Sequence, residues 1–275
     1  MTILITGSTG FIGVSLLESL TKNHQVFGLT RNQKKDSKFI TTDLLDYEAT
    51  EKTVLSVISK ADIIIQLASK MSDQSNGNDL SILFDNITMS RNVFLLAKKL
   101  GVCKVINFSS NAVYPNIDGL YSEESVIDPS LNTDCIYGLS KYNSEVLLKN
   151  WLQRENIILT NLRISQVYGK GMNQDRIMPK MEQELNNTNT ITVFGDGKRV
   201  INITSLEFLI EKVELFVEKD LPGIFNIGEK NISLLEIAEE IISQKGNRDS
   251  KIIKTSSGNR SRFYIDTKKL NTLLK

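Results

Sequence analysis

The sequence predicts an α/β protein in which a doubly wound parallel sheet is followed by a smaller C-terminal α/β lobe. Three observations predict it. Apolar strand-like runs alternate with helical patterns from the first residue, several of these runs are apolar on both faces, and the alternation becomes irregular beyond Ser165. Strands that are apolar on both faces and separated by helices are typical of a parallel sheet covered by helices on both sides.

The first part of the chain supplies a regular series of elements. Strands are predicted at short apolar runs, and helices where apolar residues recur every three or four positions. The predicted strands are Thr2–Thr6, Gln25–Thr30, Phe39–Thr41, Asp62–Ala68, Lys104–Ser109 and Ile157–Arg163. The predicted helices are Phe11–Lys22, Ala49–Ser59, Leu80–Leu100 and Tyr137–Arg154.

The last part of the chain is less regular. The predicted elements there are helices Ile177–Leu185, Leu206–Val217, Leu234–Ser243 and Asp266–Leu274 and a strand Ile191–Phe194. No Pro- or Ser-rich linker separates the two parts, so the boundary is placed by the change of pattern alone. We predict a first domain over residues 1–168, to which a segment near 205–227 can return, and a smaller lobe over residues 169–275.

Composition and charge narrow the classes of function. The 275 residues are 40% hydrophobic, and Lys plus Arg total 33 against 32 acidic residues, which gives a net charge of +1. Such a balance creates no field that would recruit nucleic acid or an anionic membrane. Cys103 and Cys135 form neither a metal-binding spacing nor a disulfide framework. The N-terminal apolar run lacks a basic flank and contains Glu18, so we expect a cytoplasmic protein without a signal peptide, a membrane span or a metal.

A glycine-rich turn follows the first strand directly. Gly7, Gly10 and Gly13 have the spacing Gly-x-x-Gly-x-x-Gly and lead straight into a helix, which is the context that a dinucleotide fingerprint requires. Glycines permit the tight turn and the close approach of backbone N–H groups to a pyrophosphate, and the helix N-terminus adds partial positive charge. The first domain is therefore predicted to be a Rossmann-type dinucleotide-binding domain. The predicted contacts in this turn are Gly7, Thr9, Gly10, Phe11, Ile12 and Gly13.

The end of the second strand carries no acidic residue. Its sequence is Leu29-Thr30-Arg31-Asn32, at the place where an Asp or Glu would bind the adenosine ribose of NAD. Arg31, with Lys34 and Lys35 close behind, can pair with a 2′-phosphate instead. The sequence therefore favours NADP(H) over NAD(H), and the alternative is an ordinary solvated basic loop.

One group of residues suggests acid–base chemistry. Tyr137 and Lys141 are four residues apart and share one face of a helix. A cation within ~4–6 Å lowers the pKa of a phenol, ordinarily near ~10, by ~1–3 units, so Tyr137 is predicted to exchange a proton with a substrate oxygen during hydride transfer. Ser110 ends a predicted parallel strand at its carboxyl end, where ligands of such sheets bind. We predict that its hydroxyl holds the reacting oxygen.

These motifs resemble the extended short-chain dehydrogenases, also called NAD-dependent epimerase/dehydratases, which bind nucleotide-sugars. The resemblance covers almost the whole chain. Its motifs are the turn 7–13, Asp43-Leu44, Leu67-Ala68, Asn86, Asn92, Phe108–Tyr114, Tyr137–Lys141, Leu162–Gly169, Val193–Gly197 and Phe225–Gly228.

The resemblance implies roles for individual residues. Ser110, Tyr137 and Lys141 would be catalytic, and Tyr137 and Lys141 would also contact the cofactor. Further cofactor contacts would be Arg31, Asp43, Leu44, Leu67, Ala68 and Asn86, with Asp43 and Leu44 at the adenine. Nucleotide-sugar contacts would be Ser110, Asn111, Gln166, Val193, Phe194, Arg199 and Arg262. The resemblance also implies a homodimer that pairs helices Leu80–Leu100 and Tyr137–Arg154.

Departures from the family pattern narrow the reaction. Ile201 stands where many members carry an Arg against the diphosphate, and Arg199 can compensate because a guanidinium binds phosphate oxygens in bidentate fashion. Asn111-Ala112 replaces the Asp-Glu pair that dehydratases use, so dehydration is disfavoured. Two reactions remain: reduction of a 4-keto sugar with NADPH, which the missing ribose acid favours, and 4-epimerisation with bound NAD. A non-catalytic dinucleotide sensor on the same fold is a third hypothesis.

Overall fold

The computed structural model describes residues 1–72 and 76–273. The strands, in chain order, are β1 Thr2–Thr6, β2 Gln25–Thr30, β3 Phe39–Thr41, β4 Ile63–Gln66, β5 Lys104–Ser110, β6 Gly119–Tyr121, β7 Ile158–Ile164, β8 Gln166–Tyr168, β9 Thr190–Val193, β10 Val200–Ser205, β11 Gly223–Ile227, β12 Lys230–Ser233, β13 Lys251–Lys254 and β14 Phe263–Ile265. The helices are α1 Phe11–Leu20, α2 Tyr47–Leu55, α3 Ser81–Leu100, α4 Cys135–Gln153, α5 Ile177–Thr188, α6 Leu206–Glu218, α7 Leu234–Lys245 and α8 Lys268–Thr272.

A seven-stranded parallel sheet forms the centre of the molecule, in the order β11-β7-β5-β4-β1-β2-β3. The predicted α/β fold is therefore confirmed. The chain winds outward from β1 through β2 and β3, and then crosses to β4 on the other side of β1. Ligands of doubly wound sheets bind outside the carboxyl ends of the strands at such a reversal of strand order.

Both faces of this sheet are buried, because successive side chains of each strand point to opposite sides. In β1, Ile3 and Ile5 pack into one apolar core with α1 and α6, whereas Leu4 packs into a second core with α3 and α4. A fully buried Leu or Ile stabilises a fold by about 1.5–3 kcal/mol. The regular apolar runs of the first part of the sequence therefore become the two cores that hold the sheet rigid.

Local signals set several helix ends. The Ser233 side chain and the Glu236 side chain form a capping box at the start of α7, which satisfies two backbone N–H groups of the first turn. Helix α3 ends at Gly101, whose φ of +64° is favourable only for glycine and a few polar residues. The catalytic candidate helix α4 has no side-chain hydrogen bond at its N-cap, Asp134, so tertiary packing fixes its start.

A smaller lobe contains three short sheets, β12-β10-β8, β13-β9 and β14-β6. Its core packs the inward residues of β9 and β10 against α5 and α7. Seven strands were not predicted, because most are short and pair with distant segments: β6, β8, β10, β12, β13 and β14, and the edge strand β11 of the central sheet. Strand β11 lies in the central sheet and α6 packs against it, and the predicted domain boundary near residue 168 falls at the end of β8, which pairs with β10 of the smaller lobe. Part of the last predicted helix, Leu274, lies outside the described residues.

Candidate active site

The glycine-rich turn between β1 and α1 leaves no room for side chains. A Cβ at Gly13 would lie 2.3 Å from the carbonyl oxygen of Gly7, and Gly7 itself has a φ of +70°. Gly10 is the N-cap of α1, and no side chain caps the helix. The first-turn N–H groups of a helix have no acceptor within the helix. The turn therefore offers a cradle of backbone donors and partial positive charge that fits a pyrophosphate.

The carboxyl ends of β2 and β4 lie beside the glycine-rich turn. The backbone N–H of Ala68 donates to the Thr6 hydroxyl at 3.1 Å, which brings the segment after β4 against the glycine turn. Thr9 and Thr30 share a hydrogen bond of 3.2 Å between their hydroxyls. Arg31 follows β2 with an exposed side chain, and no hydrogen bond or ion pair of its side chain occurs within residues 1–72 and 76–273.

The predicted adenine contacts lie on a loop that the protein holds firmly. Asn92 of α3 donates to the carbonyl oxygen of Leu44 at 2.8 Å. The Leu44 side chain is buried in the core against α3, so any ligand contact would come from its backbone. The Asp43 carboxylate accepts from the N–H of Leu45 at 3.0 Å. The adenine contact of Asp43 stays a prediction.

The structure brings Ser110, Tyr137 and Lys141 to one place. Tyr137 and Lys141 are buried in α4, with the Lys141 ammonium 5.6 Å from the centre of the phenol ring. A Cβ at Gly138 would lie 2.1 Å from the carbonyl oxygen of Ala112. Because position 138 has no side chain, the turn that follows Ser110 packs directly on the helix. The hydroxyl of Ser110 accepts from the N–H of Ala112 at 3.1 Å, which makes the turn rigid.

The electrostatics of this group differ from the prediction. Burial raises the pKa of Tyr137 to about 12, and a hydrogen bond with Ser69 opposes the rise only in part. Burial lowers the pKa of Lys141 to about 8, opposed by the charge of Glu145. The Lys141 ammonium donates to the carbonyl oxygen of Phe108 at 2.8 Å. The predicted lowering of the phenol pKa by Lys141 is therefore wrong, because desolvation and the charge of Asp134 raise this pKa and only Ser69 and Arg176 act against them.

Residues predicted to contact the substrate line the smaller lobe. Phe194 follows β9 and is 57% exposed. Arg199 is partly buried, its Nε has no hydrogen-bond partner, and burial lowers its pKa. Arg262 is exposed and lies beside Val200 in an isolated β-bridge. These three side chains are free to meet a ligand.

Two other predicted substrate contacts are more constrained. The Val193 side chain is fully buried in the core of the smaller lobe. The whole residue is buried, and its carbonyl oxygen accepts from the N–H of Thr255 at 3.1 Å, so a substrate contact through the Val193 side chain is wrong and its backbone is not exposed to a ligand either. Gln166 lies in β8 opposite Ile203 and is partly buried. The contact of Gln166 stays a prediction.

Comparisons with known proteins identify the family of this chain. Residues 3–228 match the family described as the NAD dependent epimerase/dehydratase family. This chain belongs to the NAD dependent epimerase/dehydratase family. A putative UDP-glucose 4-epimerase of Methanocaldococcus jannaschii is 27% identical, over 98% of this chain and 92% of that protein. The low-salt glycan biosynthesis protein Agl12 of Haloferax volcanii is 23% identical, over 99% of this chain and 92% of that protein.

Two solved structures have a similar fold. The UDP-glucuronic acid 4-epimerase of Bacillus cereus in complex with NAD is 25% identical, with a TM-score of 0.82 over 100% of this chain and 90% of that chain. The UDP-glucose 4-epimerase of Thermotoga maritima with UDP-glucose is 21% identical, with a TM-score of 0.85 over 99% of this chain and 92% of that chain. The latter likeness shows the fold alone.

Within this epimerase/dehydratase, Asn86 supports the site instead of lining it. Its side-chain oxygen accepts from the Lys70 N–H at 2.7 Å and from the Ser69 hydroxyl at 3.2 Å. Its side-chain nitrogen donates to the Lys70 carbonyl at 3.0 Å and to the Ser140 hydroxyl at 2.9 Å. An amide side chain has no further strong positions. The direct cofactor contact predicted for Asn86 would require one of these bonds to break.

Sequence reasoning missed several residues of this epimerase/dehydratase site. Ser69 and Arg176 both act on the Tyr137 phenol, but they lie in irregular segments without a motif. Glu145 and Arg163 form an ion pair behind Lys141. The position of Glu145, one turn after Lys141 on the same helix, is a signal that could have been read from the sequence.

The structure adds two observations about other kinds of site. In the part of the chain that is described, no group of His, Cys, Asp and Glu side chains is arranged to hold a metal ion. Over the same residues, no helix combines the length and apolar composition needed to cross a bilayer.

Proposed function

We propose that this protein is an NAD(P)-dependent oxidoreductase that reduces a 4-keto sugar carried on a nucleotide, with Tyr137 as the proton donor. The observation that carries the proposal is the buried Tyr137–Lys141 pair packed on the Ser110 turn. Strand β5, which ends at Ser110, is two strands from β1 in the sheet and parallel to it. The acid–base group and the glycine cradle of β1 therefore lie along the same edge.

The side chains have distinct roles in this proposal. The bound dinucleotide supplies the hydride chemistry at the sugar carbon. Ser110 donates a hydrogen bond to the reacting oxygen, and Tyr137 gives that oxygen a proton. Lys141 stabilises the phenolate that remains. Since burial raises the pKa of Tyr137 to about 12, the phenol is neutral at pH 7 and is set to donate a proton, which is the direction of reduction.

Arg31 supports NADP(H) as the cofactor. Its guanidinium is exposed after β2 and unpartnered among the described residues, and no acidic side chain follows the strand to repel a 2′-phosphate. We expect Arg31→Ala to weaken NADPH binding about tenfold, as for one charge-assisted hydrogen bond, and to leave NADH binding unchanged. Fluorescence titration with both cofactors tests this, and Lys22→Ala, in the turn after α1, is the control. Equal affinities of the wild type for both cofactors would contradict the assignment.

Arg199 supports a diphosphate in the substrate. A guanidinium that loses water without gaining an anionic partner is costly, and Arg199 is such a group because its Nε is buried and unbonded. Ile201 packs against the core of the smaller lobe and cannot take this role. We infer that Arg199 binds the substrate diphosphate, with Arg262 and Phe194 beside it.

A second candidate is 4-epimerisation with tightly bound NAD. The NAD-bound UDP-glucuronic acid 4-epimerase that is 25% identical over the whole chain favours it. The same Tyr137 would then remove a proton from the 4-hydroxyl and return it on completion of the cycle. An oxidised nicotinamide is positively charged and would lower the pKa of the phenol. An epimerase needs this lower pKa, because Tyr137 must first accept a proton from the sugar.

Two measurements separate these candidates. Mass spectrometry of the purified protein identifies a retained nucleotide, and near-UV absorbance follows NADPH with a panel of nucleotide 4-keto sugars. Oxidation of NADPH, lost in Tyr137→Phe, is expected for the reductase. Retained NAD with interconversion of nucleotide-sugars and no net NADPH oxidation would identify the epimerase. Binding of a dinucleotide without turnover of any sugar would leave the sensor hypothesis.

We also propose a homodimer formed by α3 and α4. The outward sides of these helices expose large apolar side chains, with Phe84 62% and Val146 49% exposed, and such exposure marks interaction surfaces. Sedimentation should show a dimer at micromolar concentration, and Phe84→Glu with Val146→Glu should give a folded monomer. Val57→Glu, at an equally exposed site after α2, is the control. A monomeric wild type would contradict the proposal.

A further inference from the structure

A buried ion pair lies directly behind the catalytic helix. Glu145 follows Lys141 by one turn of α4, and its side chain is 3% exposed, while the Arg163 side chain on β7 is 2% exposed. The guanidinium binds both carboxylate oxygens, through Nε at 3.0 Å and through a terminal nitrogen at 2.7 Å. This is a bidentate arrangement with fixed geometry.

The pair is the centre of a larger network. Glu145 also accepts from the hydroxyl of Ser109, the neighbour of Ser110 at the end of β5. Arg163 donates to the Tyr114 hydroxyl at 2.9 Å, and Tyr114 donates to the Asn226 side chain on β11 at 2.8 Å. The network therefore joins the strand that carries Ser110, the helix that carries Tyr137 and Lys141, and the far edge of the sheet.

Stability alone does not explain charges at this place. Well-packed apolar residues usually stabilise a core as well as a buried ion pair does, because both charges must lose water. The position of the pair suggests another use. The Lys141 ammonium is itself buried, and the carboxylate of Glu145 is the group whose charge favours its protonated form.

We propose that Glu145 and Arg163 are positioning residues: the pair keeps Lys141 charged beside Tyr137 and fixes the strand end that carries Ser110. This inference rests on the proposed function, because it assigns the pair a role in the same acid–base chemistry. Arg163 holds the Glu145 carboxylate in one orientation through two hydrogen bonds.

The groups around Lys141 determine whether its pKa rises or falls when the Glu145 charge is removed. Tyr137 and Glu145 face it from α4, and Arg163 lies beyond Glu145 on β7. From β5 it meets the carbonyl oxygen of Phe108. Removing the Glu145 charge takes away the anion and leaves the Arg163 cation, and both changes disfavour the ammonium. The pKa of Lys141, about 8 in the wild type, should then fall below neutrality.

The test is the titration of Lys141 in Glu145→Gln. Lysine labelled with ¹³C at Cε reports each ammonium by NMR, and Lys141→Met assigns the signal. We expect the Lys141 midpoint to fall by about 1 unit or more, and the alkaline limb of kcat in the pH profile to shift by the same amount. Glu155→Gln, a surface residue just after α4 that pairs with Lys98, is the matched control and should shift neither.

A double variant covers the case in which Glu145→Gln fails to fold. Glu145→Met with Arg163→Met removes both charges and restores an apolar core, so the fold should persist, but Lys141 still loses its anion and its midpoint should still fall. An unchanged Lys141 midpoint in a folded variant, with only a lower Tm, would overturn the proposal and leave the pair a purely structural role.

The outcomes also separate this inference from the proposed function. NMR reports the Lys141 midpoint whether or not a substrate is known. A wild type without turnover of any nucleotide-sugar, together with the expected midpoint shift, would overturn the proposed reaction while the electrostatic link between Glu145 and Lys141 stands. Normal turnover with no shift would overturn only the link.

Discussion

Arg163 and Arg199 differ in whether the protein supplies an anionic partner for the guanidinium. Burial by itself lowers the pKa of Arg163, but hydrogen bonds and charge from Glu145 outweigh it, so the net pKa is raised. For Arg199 only burial acts, and its pKa is lowered. The catalytic region around α4 thus satisfies its charges internally, whereas the smaller lobe holds a cation without an anion. Under the proposed function, the acid–base group is assembled before the substrate binds, and the substrate supplies the anion that the smaller lobe lacks.

The same contrast appears among uncharged residues. In the catalytic region, every strong hydrogen-bonding position of the Asn86 side chain is filled by the protein. In the smaller lobe, Phe194 is 57% exposed, although burial of an aromatic ring is strongly favourable. A rigid catalytic region and a ligand-dependent lobe suit an enzyme that must hold its proton donor fixed while it accepts a large substrate.

The largest expected effect lies in the rigid region. Tyr137→Phe removes the proton donor without changing the shape of the side chain, so kcat should fall by about 10²–10⁴-fold while the fold is kept. Steady-state kinetics and thermal unfolding measure the two quantities. Tyr142→Phe on the same helix is the control, and an equal loss in both variants would show that the site is not at Tyr137.

A loss of stability should follow when the internal pairing is broken. Arg163→Met leaves the Glu145 carboxylate buried without a partner, which typically costs about 3–5 kcal/mol. Urea unfolding of this variant and of Arg154→Met, at the exposed C-cap of α4, gives the difference. If both arginines proved equally dispensable, the idea of an internally completed catalytic region would fail.

Substitution of Arg199 in the smaller lobe should weaken substrate binding without destabilising the fold. Arg199→Met should raise KM for a nucleotide-sugar about 10–100-fold, since a charge-assisted hydrogen bond contributes about 1.5–3 kcal/mol. The free energy of unfolding should not fall, because the substitution removes a partly buried cation for which the protein supplies no partner. Arg260→Met, an exposed neighbour, should change neither, and a KM effect as large in that control would remove the special role of Arg199.

Lys141 is an exception within the catalytic region, because burial of its ammonium lowers the stability of the fold. The fall of its pKa from about 10.4 to about 8 corresponds to about 3 kcal/mol, and Lys141→Met also loses one hydrogen bond of about 1 kcal/mol. We therefore expect Lys141→Met to be about 2 kcal/mol more stable below pH 8, but inactive.

The pH dependence of that gain gives an independent check. The folded pKa of Lys141 is depressed, so the unfolded chain binds more protons between pH 8 and about 10.4, and the wild type gains stability as pH rises through this window. The advantage of Lys141→Met should shrink over the same range. Urea unfolding at pH 7 and pH 10 measures it, and a constant difference would contradict the assignment of a buried ammonium.

Six of the seven strands of the central sheet could be predicted to within about two residues, and the edge strand β11 was missed. The bounds of β1, β2 and β3 agree with those expected from the apolar runs, because each run is buried by local βαβ packing that leaves a regular pattern. The strands of the smaller lobe could not be predicted in this way. Strand β8 pairs with β10, and β6 with β14, so partners far apart in sequence stabilise these short segments.

The candidate site shows the same division. Gly7, Gly10, Gly13, Tyr137 and Lys141 could be found because a turn and a single helix fix their spacing. The buried Leu44 and Val193 side chains and the saturated Asn86 amide could not be foreseen, because burial and hydrogen bonding depend on other elements. Ser69 acts on the phenol through a hydrogen bond and Arg176 through its charge, and both lie in irregular segments that carry no periodic signal.

By itself, the sequence determined the central fold, the glycine cradle and the residues of the acid–base pair, since each depends on periodicity or spacing within one or two adjacent elements. Only the tertiary structure decided the state of that pair. Desolvation keeps the Tyr137 phenol neutral and draws the Lys141 ammonium toward neutrality. The spacing along α4 places Glu145 one turn after Lys141, but the depth of burial and the pairing of Glu145 with Arg163 come from how α4 packs on β5 and β7.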